Sequence, residues 1–386
     1  MQTDSRKNEF MGLMECLRGI EDPRVERTSD HRLIDILVIG VCCLLCGGQG
    51  FTDMETFGKA QFQWLRGFLA LPGGIPSHDT FNRVFSAISP DAFLDCFLRW
   101  TRTLRTALGC EIVALDGKAL RRAHGKRDAV PYIVSAWAAT NGLTLGQVKV
   151  DEKSNEITAI PKLLRILELN GCLVTIDAMG CQKKIAREIV KAGADYVLAL
   201  KGNPSLAHDE VRAFFDELVP PDPAMGPPPA PARTAFHQTV DGGHGRVETR
   251  RYWITDWTEW FADRGKWKEL KGFGMVESLR EGADGTRSYE RRCFLASITP
   301  DAARFAAACR GHWGVENPLH WTLDVTFRED DSRARTGFAA ENLAALRRLA
   351  LNTLKADMSQ PKLSIRSKRV MAAWNGDYLK RLLGSV

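Results

Sequence analysis

Two carboxylates and an imidazole recur at four-residue intervals in the last quarter of the chain. Glu316, His320 and Asp324 occupy one ridge of a stretch with helical spacing, and Trp313 and Trp321 flank that ridge. Carboxylates buried beside tryptophans cost free energy unless a cation or a reaction uses them. A solvated, salt-bridged helix face is the other interpretation of the same pattern.

Two further aspartates each follow a short apolar strand. Asp116 ends the segment IVALD, and Asp177 ends the segment LVTID. The carboxyl ends of strands in an open α/β sheet face the ligand crevice, so neighbouring strands would bring these two carboxylates into one site. A dication would neutralise such a pair, and Glu316 is the candidate for a third carboxylate. Oxygen ligands favour Mg²⁺ or Mn²⁺ over zinc, and two such ions about 3.5–4 Å apart promote phosphodiester displacement.

The charge pattern suits a polyanionic partner. The chain has 386 residues, is 44% hydrophobic and 26% charged, and carries a net charge of +6. Residues 99–127 contain eight basic and two acidic side chains, and residues 343–386 contain nine basic and two acidic side chains. Segregated positive charge of this kind is typical of nucleic-acid binding. Scattered solubilising charge is the open alternative.

Cysteine usage indicates a reducing compartment. The ten cysteines show no disulfide framework, and residues 1–9 are polar, without the apolar core of a secretory signal. We therefore predict free thiols and a cytoplasmic location. Cys42, Cys43 and Cys46 lack zinc-finger spacing and lie in an apolar helical run, which predicts buried core thiols. That run is too short to span a membrane, so we expect no membrane partner.

The elements that would position the acidic residues change character along the chain. Residues 1–108 predict an all-α N-terminal domain, in which residues 77–104 form either a DNA-reading helix-turn-helix or an ordinary αα-hairpin. Residues 109–352 predict a ribonuclease-H-like mixed α/β sheet with a β-rich insertion at about 205–298. The proline-rich residues 220–231 predict an exposed, semi-rigid linker. Residues 353–386 predict a basic C-terminal tail.

Five ordered motifs carry a resemblance to a known family. They are ALDGKALR (114–121), TIDAMGCQKKIA (175–186), ADYVLALKGNP (194–204), HGRVETR (244–250) and HWGVENPLHWTLDVTFRED (312–330). Together they resemble the ISAs1-type insertion-sequence transposases, which include the H-repeat-associated proteins and belong to the IS4-like DDE group. The resemblance covers nearly the whole chain, including the helical N-terminal part.

This resemblance implies a DDE transposase that cleaves and joins DNA. Asp116, Asp177 and Glu316 match the catalytic and metal-binding triad, with two Mg²⁺ or Mn²⁺ ions and no small-molecule cofactor. The implied partners are terminal inverted repeats and target DNA, with a homodimer assembled on DNA. The implied location is the nucleoid of a prokaryotic cytoplasm. Asp324, two turns after Glu316, is the rival for the third metal ligand.

One departure from the wider IS4-like group concerns the pattern Tyr-x2-Arg-x3-Glu-x6-Lys. Cys309, His312 and Leu323 stand at its Tyr, Arg and Lys positions. Arg310 lies two residues before His312 and could replace the phosphate contact of the arginine. The DNA-end contacts of the wider group therefore do not transfer to this chain.

Further basic residues are predicted to contact DNA phosphates. Three follow the Asp116 strand, where a solvated basic loop is an equal alternative. His244, Arg246 and Arg250 alternate along a predicted strand and share one face, and Lys201 ends the fifth strand. The predicted DNA contacts are Lys118, Arg121, Arg122, Lys201, His244, Arg246, Arg250, Arg310 and His312.

Three functions remain compatible with these residues. The first is a DDE transposase, the second is a metal-dependent nuclease without strand transfer, and the third is a non-catalytic DNA-binding relic. The presence of all three acidic residues argues against the relic. A tyrosine recombinase is excluded, because its Arg/His/Tyr signature is absent from a chain that has only five tyrosines.

Overall fold

A computed structural model describes residues 12–24, 30–108, 112–124, 130–150, 156–201, 206–224, 226, 228–229, 231–243 and 245–384. Helices come first: α1 (Leu13–Arg18), α2 (Leu33–Leu45), α3 (Phe51–Ala60), α4 (Phe62–Arg66), α5 (His78–Ala87) and α6 (Pro90–Leu108). Three strands and a helix follow: β1 (Ile112–Ala119), β2 (Tyr132–Ala138), β3 (Leu143–Val150) and α7 (Glu156–Ile166).

The remaining elements begin with a strand–helix–strand–helix series: β4 (Leu173–Ile176), α8 (Lys183–Lys191), β5 (Asp195–Ala199) and α9 (Leu206–Leu218). Four long strands come next: β6 (Thr234–Gly243), β7 (Arg246–Thr255), β8 (Gly272–Gly282) and β9 (Arg287–Ala296). The chain then forms α10 (Ala302–Trp313), a π-helix (Val315–Thr326), α11 (Ala339–Ala356), α12 (Ile365–Trp374) and α13 (Gly376–Leu382).

These elements belong to two compact units. The first unit comprises Met1–Cys110, Gly117–Asn155 and Gly314–Val386, and the second unit comprises Glu111–Asp116 and Glu156–Trp313. The chain passes from the second unit to the first within β1.

Helix α11 is the centre of the first unit. It packs against α2, α5, α6 and β3, and its Leu343–Leu354 portion is buried on every side. Helix α2 is similarly apolar and buried, and its one acidic residue, Asp35, accepts a hydrogen bond from the Leu71 amide at 2.9 Å. A helix that is buried all round needs polar groups only where they find such partners. In the same unit β2 pairs antiparallel with β3.

The second unit is built on a mixed sheet with strand order β1-β4-β5-β9-β8-β7-β6. β1, β4 and β5 are parallel, and β5, β9, β8, β7 and β6 form successive antiparallel pairs. Helix α10 packs on β4, β5, β6 and β7, and α8 packs on α7 and β5. Helices followed by a large mixed sheet confirm the predicted α/β fold class.

Several local expectations changed. Within the predicted all-α N-terminal part, the helical stretch after Gly50 is divided at Gln61 into α3 and α4. The acidic ridge lies on a π-helix, in which Pro318 lacks the amide needed for regular hydrogen bonding.

Cys42 and Cys43 are buried, and burial raises the pKa of the partly buried Cys46 thiol to about 12, so the thiols belong to the core as expected. No described helix is long and apolar enough to cross a membrane.

The proline-rich segment is exposed at Pro220, Pro221, Pro223, Pro228 and Pro229, as predicted, and hydrogen bonds anchor it to the sheet. Among the described residues of this segment, the Asp222 amide donates to Tyr289 Oη at 3.1 Å. The buried Arg251 side chain donates to the Gly226 carbonyl, and Arg291 Nη2 donates to the Val219 carbonyl at 2.6 Å. Side chains of β7 and β9 therefore fix the path of the prolines.

Candidate active site

Asp116 and Asp177 are positioned by two neighbouring parallel strands. The β1–β4 register pairs Ala114 with Thr175 and Leu115 with Ile176, and each aspartate follows the last paired residue. Asp177 directly follows β4 as predicted, whereas β1 continues past Asp116 to Ala119. Neighbouring strands lie about 4.8 Å apart, and residues in register point to the same face. Both side chains are half-buried. The sequence-predicted pair of strand-end carboxylates is therefore brought together within the second unit.

Local backbone hydrogen bonds orient the Asp177 carboxylate. Asp177 stands at the N-cap of one 3₁₀ turn, and its Oδ1 accepts from the amides of Met179 (3.1 Å) and Gly180 (3.4 Å). An aspartate before a short turn commonly satisfies the first amides in this way. One oxygen is thereby fixed by the backbone.

His312 lies beside this aspartate. Thr175 is two residues before Asp177 and shares its face of β4, and Thr175 Oγ1 is 3.2 Å from His312 Nδ1. Burial lowers the pKa of His312, and the negative charge of Asp177 opposes that shift. The imidazole is consequently neutral at pH 7, and it presents a hydrogen-bonding group next to the acidic pair.

Two arginines stack on Trp313, the last residue of α10. The guanidinium carbons of Arg250 and Arg292 lie 5.4 and 5.0 Å from the centre of the Trp313 ring. Cation–π attraction at these distances contributes about 0.5–1 kcal/mol per pair at exposed sites. The carboxyl end of α10 thus combines an imidazole, an indole and two guanidiniums. Sequence analysis did not identify Arg292, because its position on β9 carries no motif.

The π-helix distributes the acidic ridge over different environments of the first unit. Glu316 is exposed, whereas His320 and Asp324 are partly buried. Leu319 and Leu323 face the interior, and Trp321 is 57% exposed. The predicted third carboxylate is therefore accessible to solvent at the start of this helix.

Asp324 is paired with Lys118. Lys118 Nζ lies 2.7 Å from Asp324 Oδ1, 2.8 Å from Asp330 Oδ1 and 3.7 Å from Glu329 Oε2. The Lys118 side chain is only 7% exposed. A phosphate contact by Lys118 would require breaking these pairs. Burial raises the pKa of Asp324, and the ammonium of Lys118 opposes that shift.

The ion-pair network continues into α11. Glu329 Oε1 lies 2.8 Å from Arg348 Nη1, and both side chains are fully buried. Arg348 also donates through Nε to Ser135 Oγ on β2 at 3.3 Å. Arg121 and Arg122 lie at the exposed rim, 3.4 Å from Asp330 and 3.1 Å from Asp331.

The other predicted DNA contacts differ in exposure. Lys201 and Arg246 are exposed. Arg250 is buried and pairs with Glu248 at 2.5 Å and with Asp241 at 3.0 Å, and Arg310 pairs with the same aspartate. His244 lies outside the described residues.

The metal-binding capacity of the site rests on the aspartate pair. Two carboxylates on neighbouring parallel strands supply the hard oxygen donors that Mg²⁺ and Mn²⁺ prefer. In the part of the chain that the structure describes, no three His, Cys, Asp or Glu side chains are grouped closely enough to hold a metal ion. Asp116 and Asp177 therefore fit as two ligands of a divalent ion, and among the described residues no third ligand is grouped with them.

The chain belongs to the family described as "Transposase DDE domain". The model of that family matches residues 109–353. The family described as "DDE_Tnp_1-associated" matches residues 14–101. Members of DDE transposase families generally use divalent metal ions, which agrees with the donor set of the aspartate pair.

Curated relatives support this membership over almost the full length. The H repeat-associated protein YhhI of Escherichia coli (strain K12) is 37% identical over 381 residues, covering 97% of this chain and 98% of YhhI. YncI of Escherichia coli O157:H7 is 38% identical, covering 97% of this chain and 95% of YncI. An uncharacterized protein of the dhlA 3′ region of Xanthobacter autotrophicus is 45% identical, covering 73% of this chain and 93% of that protein. The resemblance to H-repeat-associated transposases is confirmed.

Among solved structures, the chain is similar to the piggyBac transposase in a synaptic complex with hairpin DNA. The sequence identity is 10% and the TM-score is 0.40, with 99% of this chain and 79% of the piggyBac chain covered.

Proposed function

We propose that this protein cleaves DNA at the ends of an insertion sequence and joins the freed ends to target DNA. Asp116, Asp177 and Glu316 are the catalytic residues in this proposal, and together they hold two Mg²⁺ or Mn²⁺ ions. The observation that supports it most is the parallel pairing of β1 with β4, in which each aspartate follows the last paired residue. Family membership gives that pair its expected chemistry.

The ions, when bound, would polarise the attacking and leaving oxygens of an in-line phosphodiester displacement. The side chains and backbone of the protein position the phosphate. The backbone amides that hold Asp177 Oδ1 keep its carboxylate in one orientation, so the other oxygen faces a fixed direction. The neutral His312 imidazole hydrogen-bonds with Thr175 and so limits movement of the same strand end.

The displacement needs no nucleophile from the protein. Water is the attacking group in cleavage, and the 3′-hydroxyl released by cleavage is the attacking group in joining. Lys201, Arg246 and Arg310 are proposed to contact the DNA backbone. We further propose that the protein acts as a homodimer on DNA, since two element ends must be joined together, and that it is associated with the nucleoid.

A test of the function uses duplexes taken from the DNA on either side of the coding region. The full-length protein is incubated with Mg²⁺ and either uncut duplexes or duplexes that already have a free 3′-hydroxyl end, together with a supercoiled target plasmid. The proposal predicts nicking of the uncut duplex and joining of the pre-cut end to the plasmid. The Asp116→Asn and Asp177→Asn variants should lose both reactions by at least about 10³-fold.

Three results would contradict the proposal. Nicking without joining would indicate a nuclease. Sequence-specific binding without either reaction would indicate a DNA-binding relic. Unchanged activity of the Asp177→Asn variant would exclude the acidic pair from catalysis.

A further inference from the structure

A cavity of about 620 Å³ lies in the first unit, and none of the residues that line it is assigned above to catalysis. It is bounded by the beginning of α3, the beginning of α5, the loop of residues 328–336 and the inner face of α11. Four arginines line it: Arg328, Arg333, Arg335 and Arg347.

The carboxylates that line this cavity already have partners. Asp53 Oδ2 accepts from the amides of Gln49 (2.8 Å) and Gly50 (3.3 Å). Asp331 pairs with Arg122 at 3.1 Å and with Arg328 at 3.7 Å. The third, Asp79, lies 3.5 Å from His78 Nε2.

Three of the arginines lack such compensation. Among the described residues, no carboxylate oxygen lies within 4 Å of the guanidinium nitrogens of Arg333, Arg335 or Arg347. Arg333 and Arg335 are exposed, and Arg335 Nε donates only to the Arg122 carbonyl, at 3.1 Å. Positive charge at this cavity therefore exceeds the negative charge available to neutralise it.

Arg347 gives the strongest indication of a ligand. Its side chain is 1% exposed, and Nη2 donates to the Gln49 carbonyl at 2.8 Å. Its Nε has no hydrogen-bond partner among the described residues. A buried guanidinium without a directly paired carboxylate is costly. Burial lowers the pKa of Arg347 to about 10, and the negative charge of Glu329 opposes that shift only in part. An anion in the cavity would satisfy both the charge and the free donor.

We propose that this cavity binds the phosphate backbone of DNA and forms a second DNA contact, separate from the acidic site. The positive charge runs from the buried Arg347 to the exposed Arg333 and Arg335, which suits a polymer carrying successive phosphates better than a single small anion. Arginine is well matched to phosphate oxygens, because its planar group donates two parallel hydrogen bonds. The inference rests on the proposed function, which supplies the DNA.

The test compares the salt dependence of DNA binding for three proteins. Fluorescence anisotropy over a series of KCl concentrations, with an element-end duplex and a scrambled duplex, gives the slope of log affinity against log salt. Each lost phosphate contact reduces that slope by about 0.9. The double variant Arg333→Ala/Arg335→Ala should therefore bind both duplexes more weakly, with a slope reduced by about 2.

The matched control removes two exposed basic residues elsewhere in the first unit. Arg18→Ala/Arg66→Ala carries the same change in net charge, lies outside both basic windows of the sequence and should keep the wild-type slope. An unchanged slope in the Arg333→Ala/Arg335→Ala protein, or an equal reduction in the control, would overturn the inference. A thermal unfolding curve checks that both double variants are folded.

A third arm separates DNA from free phosphate compounds. ATP and inorganic phosphate are titrated into the wild-type protein and the Arg333→Ala/Arg335→Ala variant. The DNA assignment is overturned if the variant loses binding of ATP or phosphate while its slope of log DNA affinity against log salt equals that of the wild type. Failure of the proposed function gives a different result. If the wild-type protein binds DNA with a steeper salt slope than the Arg333→Ala/Arg335→Ala variant but neither cleaves nor joins DNA, the proposed function is refuted and the second DNA contact is supported.

Discussion

Lys118 and Asp324 form an ion pair, 2.7 Å long between Nζ and Oδ1, that ties the end of β1 to the π-helix. Lys118 is two residues after Asp116, and Asp324 is on the same π-helix as Glu316. Because Lys118 also contacts Glu329 and Asp330, its charge compensates a group of three carboxylates. Loss of this ammonium would leave those carboxylates facing one another in a poorly hydrated space.

The first prediction concerns the stability of this network. Lys118→Met should lower the free energy of unfolding by about 3 kcal/mol, because removing one partner of a buried ion pair leaves the other charges uncompensated. Urea unfolding followed by circular dichroism at pH 7 measures the change. Arg122→Met is the control: its pair with Asp331 is exposed on both sides and should contribute less than about 1 kcal/mol. Equal losses in the two variants would contradict the assigned role of burial.

The second prediction concerns pH. Burial, followed by the charges of Arg348 and Lys118, lowers the pKa of His320 from 6.5 to about 4. The unfolded chain therefore takes up a proton near pH 6.5, while the folded chain does so only near pH 4. The contribution of His320 to the free energy of unfolding is complete above pH 6.5 and is lost as the pH falls towards 4.

His320→Gln should remove this part of the pH dependence. The wild-type free energy of unfolding should decline more steeply than that of the variant between pH 6.5 and about 4, and the two should run parallel above pH 7. Urea titrations at half-unit pH intervals measure both curves. Parallel curves over the whole range would show that His320 titrates alike in the folded and unfolded chains.

The aspartate pair could be predicted because its signal is local. Each residue follows a short apolar run, so IVALD and LVTID predicted one site for Asp116 and Asp177 on condition that the two strands are neighbours, and the β1–β4 pairing meets that condition. The mixed sheet was predictable from the order of its strands and helices, although long strands such as β6 and β7 mix polar and apolar residues. The domain boundaries drawn from the sequence stay a prediction.

Contacts between distant residues could not be predicted. Lys118 and Asp330 are separated by more than two hundred residues, and nothing in DGK or FREDD indicates that they pair. The π-helix also escaped prediction, because i+4 spacing in the sequence fits an α-helix equally well. Proline content suggested an exposed linker at residues 220–231, but propensity alone cannot reveal that arginines from β7 and β9 hold it.

The third prediction separates the two candidates for the third metal ligand. Glu316→Gln should reduce cleavage by at least about 10³-fold with little change in stability, because Glu316 is exposed and its carboxylate is proposed to bind metal. Asp324→Asn should retain cleavage within about tenfold of wild type while lowering stability, since its carboxylate neutralises Lys118. Rates on a pre-cut and an uncut duplex, together with urea unfolding, give both quantities. The reverse ranking of cleavage rates would assign the metal to Asp324.

The fourth prediction concerns the proline-rich segment. Arg251 is 3% exposed; it donates to the Gly226 carbonyl and lies 3.8 Å from Asp222 and 3.6 Å from the buried Glu277. A hydrogen bond from a charged group contributes about 1.5–3 kcal/mol, so Arg251→Met should increase local opening of residues 220–231 about tenfold or more. Limited digestion with proteinase K, followed by mass spectrometry of the fragments, reports that opening. Arg287→Met removes an exposed pair with Glu281 in the same sheet and should leave the cleavage rate unchanged. If both variants are cut within residues 220–231 at the wild-type rate, the Arg251 contacts do not hold the segment in place.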